Sequence, residues 1–345
     1  MFENYDTLIV FNEENRFYLT GFDSSFGCVI INAKKKIFIT DKRYETDARQ
    51  KVQGFTILCA SGGNLYQLIA KQLESLKTKV IGYEESTLTV EEFKLIKSKL
   101  SGYDFVGASE SIKLLRMVKT EEEIEKITKA EDVTQQALLE VIPQIKVGMS
   151  EKDVSDMITY AMLRNGAQAL AFENVVCFGE TSACPHHKPS KDVILGENDI
   201  ILIDIGAKVD GYCGDMTRTF SFGKVSEQLE RMHQIVLEAQ KFTLRNLKAG
   251  ISCKEADSMA REFLLAHGDK DEFSHSLGHG IGVEVHERPF VSPNKDEILR
   301  ENMIISVEPG IYIEGVGGIR IEDIVVIKND GIINLTNKIS KELKI

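Results

Sequence analysis

The sequence predicts an α/β amino-terminal domain followed by an α+β domain with an internal pseudo-twofold repeat. Three observations predict it: β-rich and helical segments alternate up to about residue 112, a strongly capped helix follows, and the remainder repeats itself. In the leading part, TLIVF (7–11), FYLT (17–20), CVIINA (28–33) and KKIFIT (35–40) read as strands. NLYQLIAKQLESL (64–76) and TVEEFKLIKSKL (89–100) read as helices. Thr120 and Glu123 then stand at capping-box spacing. They open a long helix with Ile124, Ile127, Ala130, Val133, Ala137 and Val141 on one face. The domain boundary is placed there, giving domains 1–117 and 118–345, and no Gly/Ser linker separates them.

Composition narrows the class. The 345 residues are 43% hydrophobic and 28% charged, ordinary for a globular protein of about two domains. Asp and Glu number 53 against 42 Lys and Arg, for a net charge of −11, so no global positive field exists to hold nucleic acid or an anionic membrane. The six cysteines (28, 59, 177, 184, 213 and 253) form no CxxC pair and read as buried, reduced thiols. The opening MFENYDTLIVF carries acids where a secretory peptide carries bases. No apolar run reaches the roughly 18 residues of a membrane helix, so a cytoplasmic protein is expected.

The second domain aligns with itself. IKVGMSEKDVSDMITYAMLRNG (145–166) matches LKAGISCKEADSMAREFLLAHG (247–268) without gaps. In each copy Ser150 or Ser252 caps a helix, with Asp153 or Glu255 three residues on, and Gly166 or Gly268 closes it. Downstream, ENDIILIDIG (197–206) matches ENMIISVEPG (301–310), so Asp204 falls on Glu308. PHHKP (185–189) matches VHERP (285–289), so His186 falls on His286. Asp215 in GDMTRT and Glu322 in IRIED occupy matching places. Two copies related by a pseudo-twofold axis would bring two acids and one histidine from each half into one cleft.

Four carboxylates gathered in one cleft repel one another unless cations compensate them, and two divalent cations balance their charge. A histidine of HSLGHGIGVEVHE (275–287) is the natural further ligand. His275 and His279 have the i, i+4 spacing of a zincin helix. They lack the intervening Glu, and glycines follow at 280 and 282, so that motif is rejected. GHGIG likewise lacks the spacing of a dinucleotide loop.

The motifs IDIGA with Asp204, GYCGDMTRT with Asp215, SLGHGIGVEVHE with His279, SVEPGIY with Glu308 and GGIRIED with Glu322 resemble those of the creatinase and methionine aminopeptidase superfamily of metallopeptidases. The resemblance covers roughly residues 112–345, and the leading domain is similar to that of Xaa-Pro aminopeptidases and prolidases. It implies a pita-bread catalytic fold and cleavage of peptides with proline at the second position. It further implies that Asp204 chelates one ion, Asp215 and Glu322 bridge the pair, and His279 and Glu308 complete the other ion. Glu308 then serves as general base beside the attacking water, and His286 stabilises the oxyanion. His186 holds the substrate from the opposite wall, while His275 and Arg320 line the cleft, Arg320 as a partner of the acids.

His187 adjoins His186, and the PH context with the half-to-half alignment favours His186. His187, His233 and His267 read as solvent-facing bystanders. The oxygen-rich donor set suits two Mn²⁺ ions, although Co²⁺, Zn²⁺ or Fe²⁺ would bind the same donors. The leading expectation is an Xaa-Pro aminopeptidase. The alternatives are a prolidase, which cleaves only dipeptides, and a non-catalytic peptide-binding module. Family likeness suggests a homodimer through the leading domain.

Overall fold

The computed structural model describes residues 4–267 and 273–344. The chain divides into two compact units, Met1–Arg116 and Met117–Ile345. In the first, β1 (Thr7–Val10), α1 (Glu13–Thr20), β2 (Cys28–Asn32), β3 (Lys36–Asp41), α2 (Glu45–Lys51), β4 (Thr56–Ala60), α3 (Leu65–Leu76), β5 (Val80–Tyr83), α4 (Val90–Lys99), β6 (Asp104–Gly107) and α5 (Ser109–Met117, running just into the second unit) follow one another. The strands form one mixed sheet in the order β4-β3-β2-β1-β5-β6. Successive residues enter opposite cores: Leu8, Val10, Val29 and Ile31 pack on one face, Ile9, Cys28, Ile30 and Ile37 on the other. Covering both faces is what makes these strands read as unbroken apolar runs.

One expected strand is helical. FYLT (17–20) forms the end of α1, despite residue types that favour strands. The Asn12 side chain accepts from the Asn15 amide to start the helix, and Gly21 at φ 66° ends it in the left-handed region. These two caps decide the local structure against side-chain preference.

The second unit continues with α6 (Glu121–Val141), α7 (Glu151–Arg164), β7 (Ala169–Leu170), β8 (Val175–Phe178), β9 (Asp199–Ile205), β10 (Ala207–Val209), β11 (Tyr212–Cys213), β12 (Met216–Phe222), α8 (Glu227–Asn246) and α9 (Cys253–His267). It ends with β13 (Gly278–Gly280), β14 (Glu287–Val291), β15 (Ile304–Val307), β16 (Gly310–Ile313), β17 (Gly317–Arg320), β18 (Asp323–Lys328) and β19 (Gly331–Asn334). The capping boxes at Thr120 and Ser150 form as expected, and Ser252 exchanges the same bonds with Glu255. Gly166 takes φ 107°; Gly268 lies outside the described residues.

The internal repeat is visible as topology. In the first half β9 and β12 are antiparallel partners, with the β10–β11 hairpin between them in sequence. In the second half β15 and β18 pair in the same way around the β16–β17 hairpin. Matching antiparallel bridges, Ser150 to Ile194 and Ser252 to Ile298, sit at the starts of α7 and α9. The halves are stitched at a seam. Thr219 and Arg320 exchange hydrogen bonds of 2.8 and 3.2 Å, the Glu322 amide donates to the Thr217 carbonyl at 3.1 Å, and fully buried Arg218 pairs with Asp323 at 3.0 Å.

Some side chains lie elsewhere than expected. All six thiols are free, but Cys59, on the sheet's edge strand β4, is half-buried, and Cys184, just after the helical turn Gly179–Ala183, is exposed. His233 is not a solvent-facing bystander. It faces the core from α8 at 3% exposure, its Nε2 without a hydrogen-bond partner, and burial pushes its pKa down to about 4. Among the described residues no helix is long and apolar enough to cross a membrane.

Because His233 stays neutral in the fold well below its ordinary 6.5, the unfolded chain takes up a proton first as pH falls. Stability should drop between about pH 6.5 and 4, with about 2 kcal/mol from this group lost by pH 5. Urea unfolding at pH 7.5 and 5 should show His233→Leu losing less than the parent by that amount; equal losses would refute the assignment.

Candidate active site

Strand alternation aims the acids. On β9, Ile201, Ile203 and Ile205 enter the core, which turns Asp204 to the opposite face, across from Thr217 of β12. Asp215 immediately precedes β12, and Glu322 immediately precedes β18. Glu308 follows β15, whose Ile305 and Val307 are core residues. Each half therefore supplies one acid near the end of its first strand and one at the entry to its second. His279 sits in the middle of β13, which runs close beside β15. A Cβ would lie 2.1 Å from the Ser306 carbonyl oxygen at Gly278 and 2.3 Å from the Arg288 carbonyl oxygen at Gly280, so these two glycines serve strand packing.

All of the acids and histidines proposed for the site, with Arg320, line a single cavity: Asp204, Asp215, Glu308, Glu322, His279, His186, His275 and His286. His279 Nε2 lies 3.3 Å from Glu308 Oε1 and 3.6 Å from Asp215 Oδ2. Donor atoms of Asp215, His279 and Glu322 all fall within 4.8 Å of one another. Thr217 Oγ1 donates to Glu322 Oε2 at 2.7 Å, and Arg320 Nη2 pairs with Asp204 Oδ2 at 2.7 Å. The His286 ring packs edge-on against His279, with centroids 4.2 Å apart.

The electrostatics follow from burial and crowding. Burial, then repulsion from Glu322 and Asp204, raises Asp215 well above the usual carboxylate range. Burial, then Glu308 and Asp204, does the same to Glu322. Burial also raises Asp204, against the opposing pull of Arg320. For Glu308 the burial penalty is outweighed by the hydrogen bond and charge of His279, and its pKa falls. Burial pushes His286 down to about 4, aided by the neighbouring His279, so its imidazole is neutral near pH 7.

The donors fit divalent cations. Asp204 Oδ1 and Asp215 Oδ1 are buried with no hydrogen-bond partner, while the other oxygen of each carboxylate is directed at Arg320 or His279. Buried carboxylate oxygens left without a donor are costly unless a cation satisfies them.

The structure also adds residues that the motifs did not select. Tyr312 receives a 2.9 Å bond from Arg320 Nη1 and lies 2.9 Å from His275 Nε2. Tyr212 instead points to Glu123, 3.2 Å away. Glu131, fully buried in α6, accepts from the Asp215 amide at 2.9 Å, and Thr134 accepts from the Ala207 amide at 2.9 Å. Their only sequence signal is three polar residues, 131, 134 and 135, inside the buried stripe of α6. His187 corrects the bystander reading, since its Nε2 lies 2.7 Å from Glu151 Oε2. His267 is exposed and stacks on Phe263.

A doubled α+β fold that gathers four acids and a histidine at its seam has the donor set of a metallohydrolase centre. The chain belongs to metallopeptidase family M24: residues 125–329 match that family, and residues 3–118 match the creatinase/prolidase amino-terminal domain. The catalytic unit accordingly has the pita-bread fold. The chain is 40% identical to the solved X-Pro aminopeptidase of Thermotoga maritima, with a TM-score of 0.93 covering 99% of this chain and 98% of that one. A solved Xaa-Pro dipeptidase from Bacillus anthracis superposes with a TM-score of 0.95 at 34% identity, over 99% of this chain and 95% of its own. The Xaa-Pro dipeptidase of Pyrococcus furiosus is 35% identical over 98% of this chain and 95% of its length.

Divalent cations at about a hundredfold excess over Kd should stabilise the fold by about 2.7 kcal/mol, a rise in Tm of roughly 5–10 °C. Thermal melts of chelator-treated and Mn²⁺-supplemented protein should show that rise in the parent and its loss in Glu322→Gln. An equal rise in both would remove Glu322 from the ligand set.

Proposed function

We propose that this protein is an Xaa-Pro aminopeptidase, hydrolysing the bond that precedes a proline at the second position of a peptide. The observation that carries the reading is the composition of the cavity: a buried carboxylate cluster with His279 among it, and four further histidines, His186, His187, His275 and His286, in the lining. Asp204, Asp215, His279, Glu308 and Glu322 would hold the metal ions, and their oxygen-rich set suits Mn²⁺. Bound there, divalent ions supply Lewis-acid polarisation of a carbonyl and bring the pKa of water down from about 15.7 towards neutrality.

The chain's own residues do the rest. Glu308, held ionised beside His279 and bonded to Ser306 Oγ at 3.1 Å, accepts the proton of the attacking water. It then delivers that proton to the prolyl nitrogen, which begins as a tertiary amide and must be protonated to leave. Neutral His286 presents a ring N–H to the developing oxyanion. His186 holds the substrate from the opposite wall. Arg320 fixes Asp204 and, through Tyr312, His275.

Substrate length separates the aminopeptidase from a prolidase. Identity of 40% to the Thermotoga aminopeptidase, against 34% and 35% to the two dipeptidases, supports the former. The TM-score of 0.95 to the Bacillus dipeptidase supports the latter. Purified protein with Mn²⁺ should cleave a longer Xaa-Pro-Xaa peptide at least as fast as Gly-Pro. Cleavage of Gly-Pro alone would make it a prolidase, and cleavage of neither a binding module. Glu308→Gln should keep peptide affinity while kcat falls by about 10²–10⁴; undiminished turnover would remove Glu308 as the base. A homodimer in the cytoplasm accompanies this proposal, checked by light scattering and cell fractionation.

A further inference from the structure

The segment that carries His186 runs from the end of β8 to Ser190 and contains only one short helical turn, Gly179–Ala183. A single carboxylate organises it. Glu151, at the start of α7 and completely buried, accepts from the Phe178 amide at 2.9 Å, Thr181 Oγ1 at 2.5 Å and the Ser190 amide at 2.9 Å, and its Oε2 lies 2.7 Å from His187 Nε2. These contacts grip both ends of the segment and its apex at one point. Ser182 ties the same segment to β17, its Oγ accepting from the Gly318 amide at 2.7 Å, two residues before Arg320.

His187 and His186 are adjacent on the apex but face different partners. Both line the cavity, but half-buried His187 turns its Nε2 to Glu151, whereas His186 is exposed. Other bonds to the loop are backbone turns, from the Cys184 amide to the Thr181 carbonyl and from the His187 amide to the Cys184 carbonyl at 3.1 Å each, the Lys152 amide to the Ser190 carbonyl at 3.2 Å, an exposed Lys188–Glu173 ion pair at 3.0 Å, and a long 3.5 Å contact from Arg320 Nη1 to the Pro185 carbonyl. Fixing such a segment before substrate arrives removes an entropy cost that binding would otherwise carry. We propose that Glu151 and His187 form a latch that positions His186 for substrate binding, so that His187 is a positioning residue acting through its neighbour. The proposal rests on the reading of His186 as a substrate-holding group.

The test is a double-mutant cycle on the Mn²⁺-loaded full-length protein with an Xaa-Pro-Xaa peptide. His187→Ala leaves Glu151 its other three donors and keeps the fold. It should raise KM by about tenfold with kcat changed less than about twofold, since a misplaced contact residue costs binding first. His187→Gln, which retains an N–H for Glu151, should recover most of the affinity. In the double variant with His186→Ala, KM should equal that of His186→Ala alone. An unchanged KM in His187→Ala, or fully multiplicative effects in the double variant, would overturn the latch. Should the parent cleave no Xaa-Pro peptide, the functional reading fails by itself. Hydrogen exchange over residues 184–190 then decides the latch: faster exchange in His187→Ala supports it, and unchanged exchange refutes it.

Discussion

Negative charge crowded onto buried side chains at the wall of one cavity is the constraint around which the catalytic unit is arranged. Asp204, Asp215, Glu308 and Glu322 share one space, and burial makes each charge harder to keep than it would be at a surface. The surroundings answer locally. Arg320 neutralises Asp204, His279 holds Glu308 ionised, and Thr217 donates to Glu322. What stays unanswered, Oδ1 of Asp204 and of Asp215, is what divalent cations would satisfy. Such a cluster is expensive to fold and valuable only for chemistry, which is why it marks the site so clearly.

The duplicated topology delivers that crowding. Each half places an acid near the end of one strand and another at the entry to its antiparallel partner, with a hairpin between. Stitching the halves through Thr217, Arg218 and Thr219 against Arg320, Glu322 and Asp323 brings the two pairs face to face. The buried Arg218–Asp323 pair is a weak source of net stability but a strong source of register, because a slip at the seam would leave an unpaired buried charge.

Pairing of the repeats also explains which histidines matter. His279 and His286 are set by β13 and the turn leading into β14, whose close approach to β15 demands the glycines around them. His186 lies on a loop with no strand of its own, so its position depends on a buried carboxylate far away in sequence. Strand-borne groups inherit their geometry from the sheet, and the loop-borne group does not.

Much was legible in the sequence because it was local or repeated. Capping boxes at Thr120 and Ser150 rest on residues three positions apart, and the alignment of the two halves paired Asp204 with Glu308 and Asp215 with Glu322 without any coordinates. Other features hid behind local preference. FYLT looked like a strand until its caps made it a helix end, and His233 looked exposed although α8 turns it inward. The sequence by itself determined the two-part organisation, the repeat and the identity of the chemical groups, because periodicity, capping and internal similarity are properties of neighbouring or aligned residues. Only the tertiary structure decided that Glu131 supports Asp215, that Tyr312 joins Arg320 to His275, and that Glu151 takes His187. Those contacts span long stretches of chain, and a hydrogen bond of about 3 Å between distant residues leaves no trace in spacing or composition.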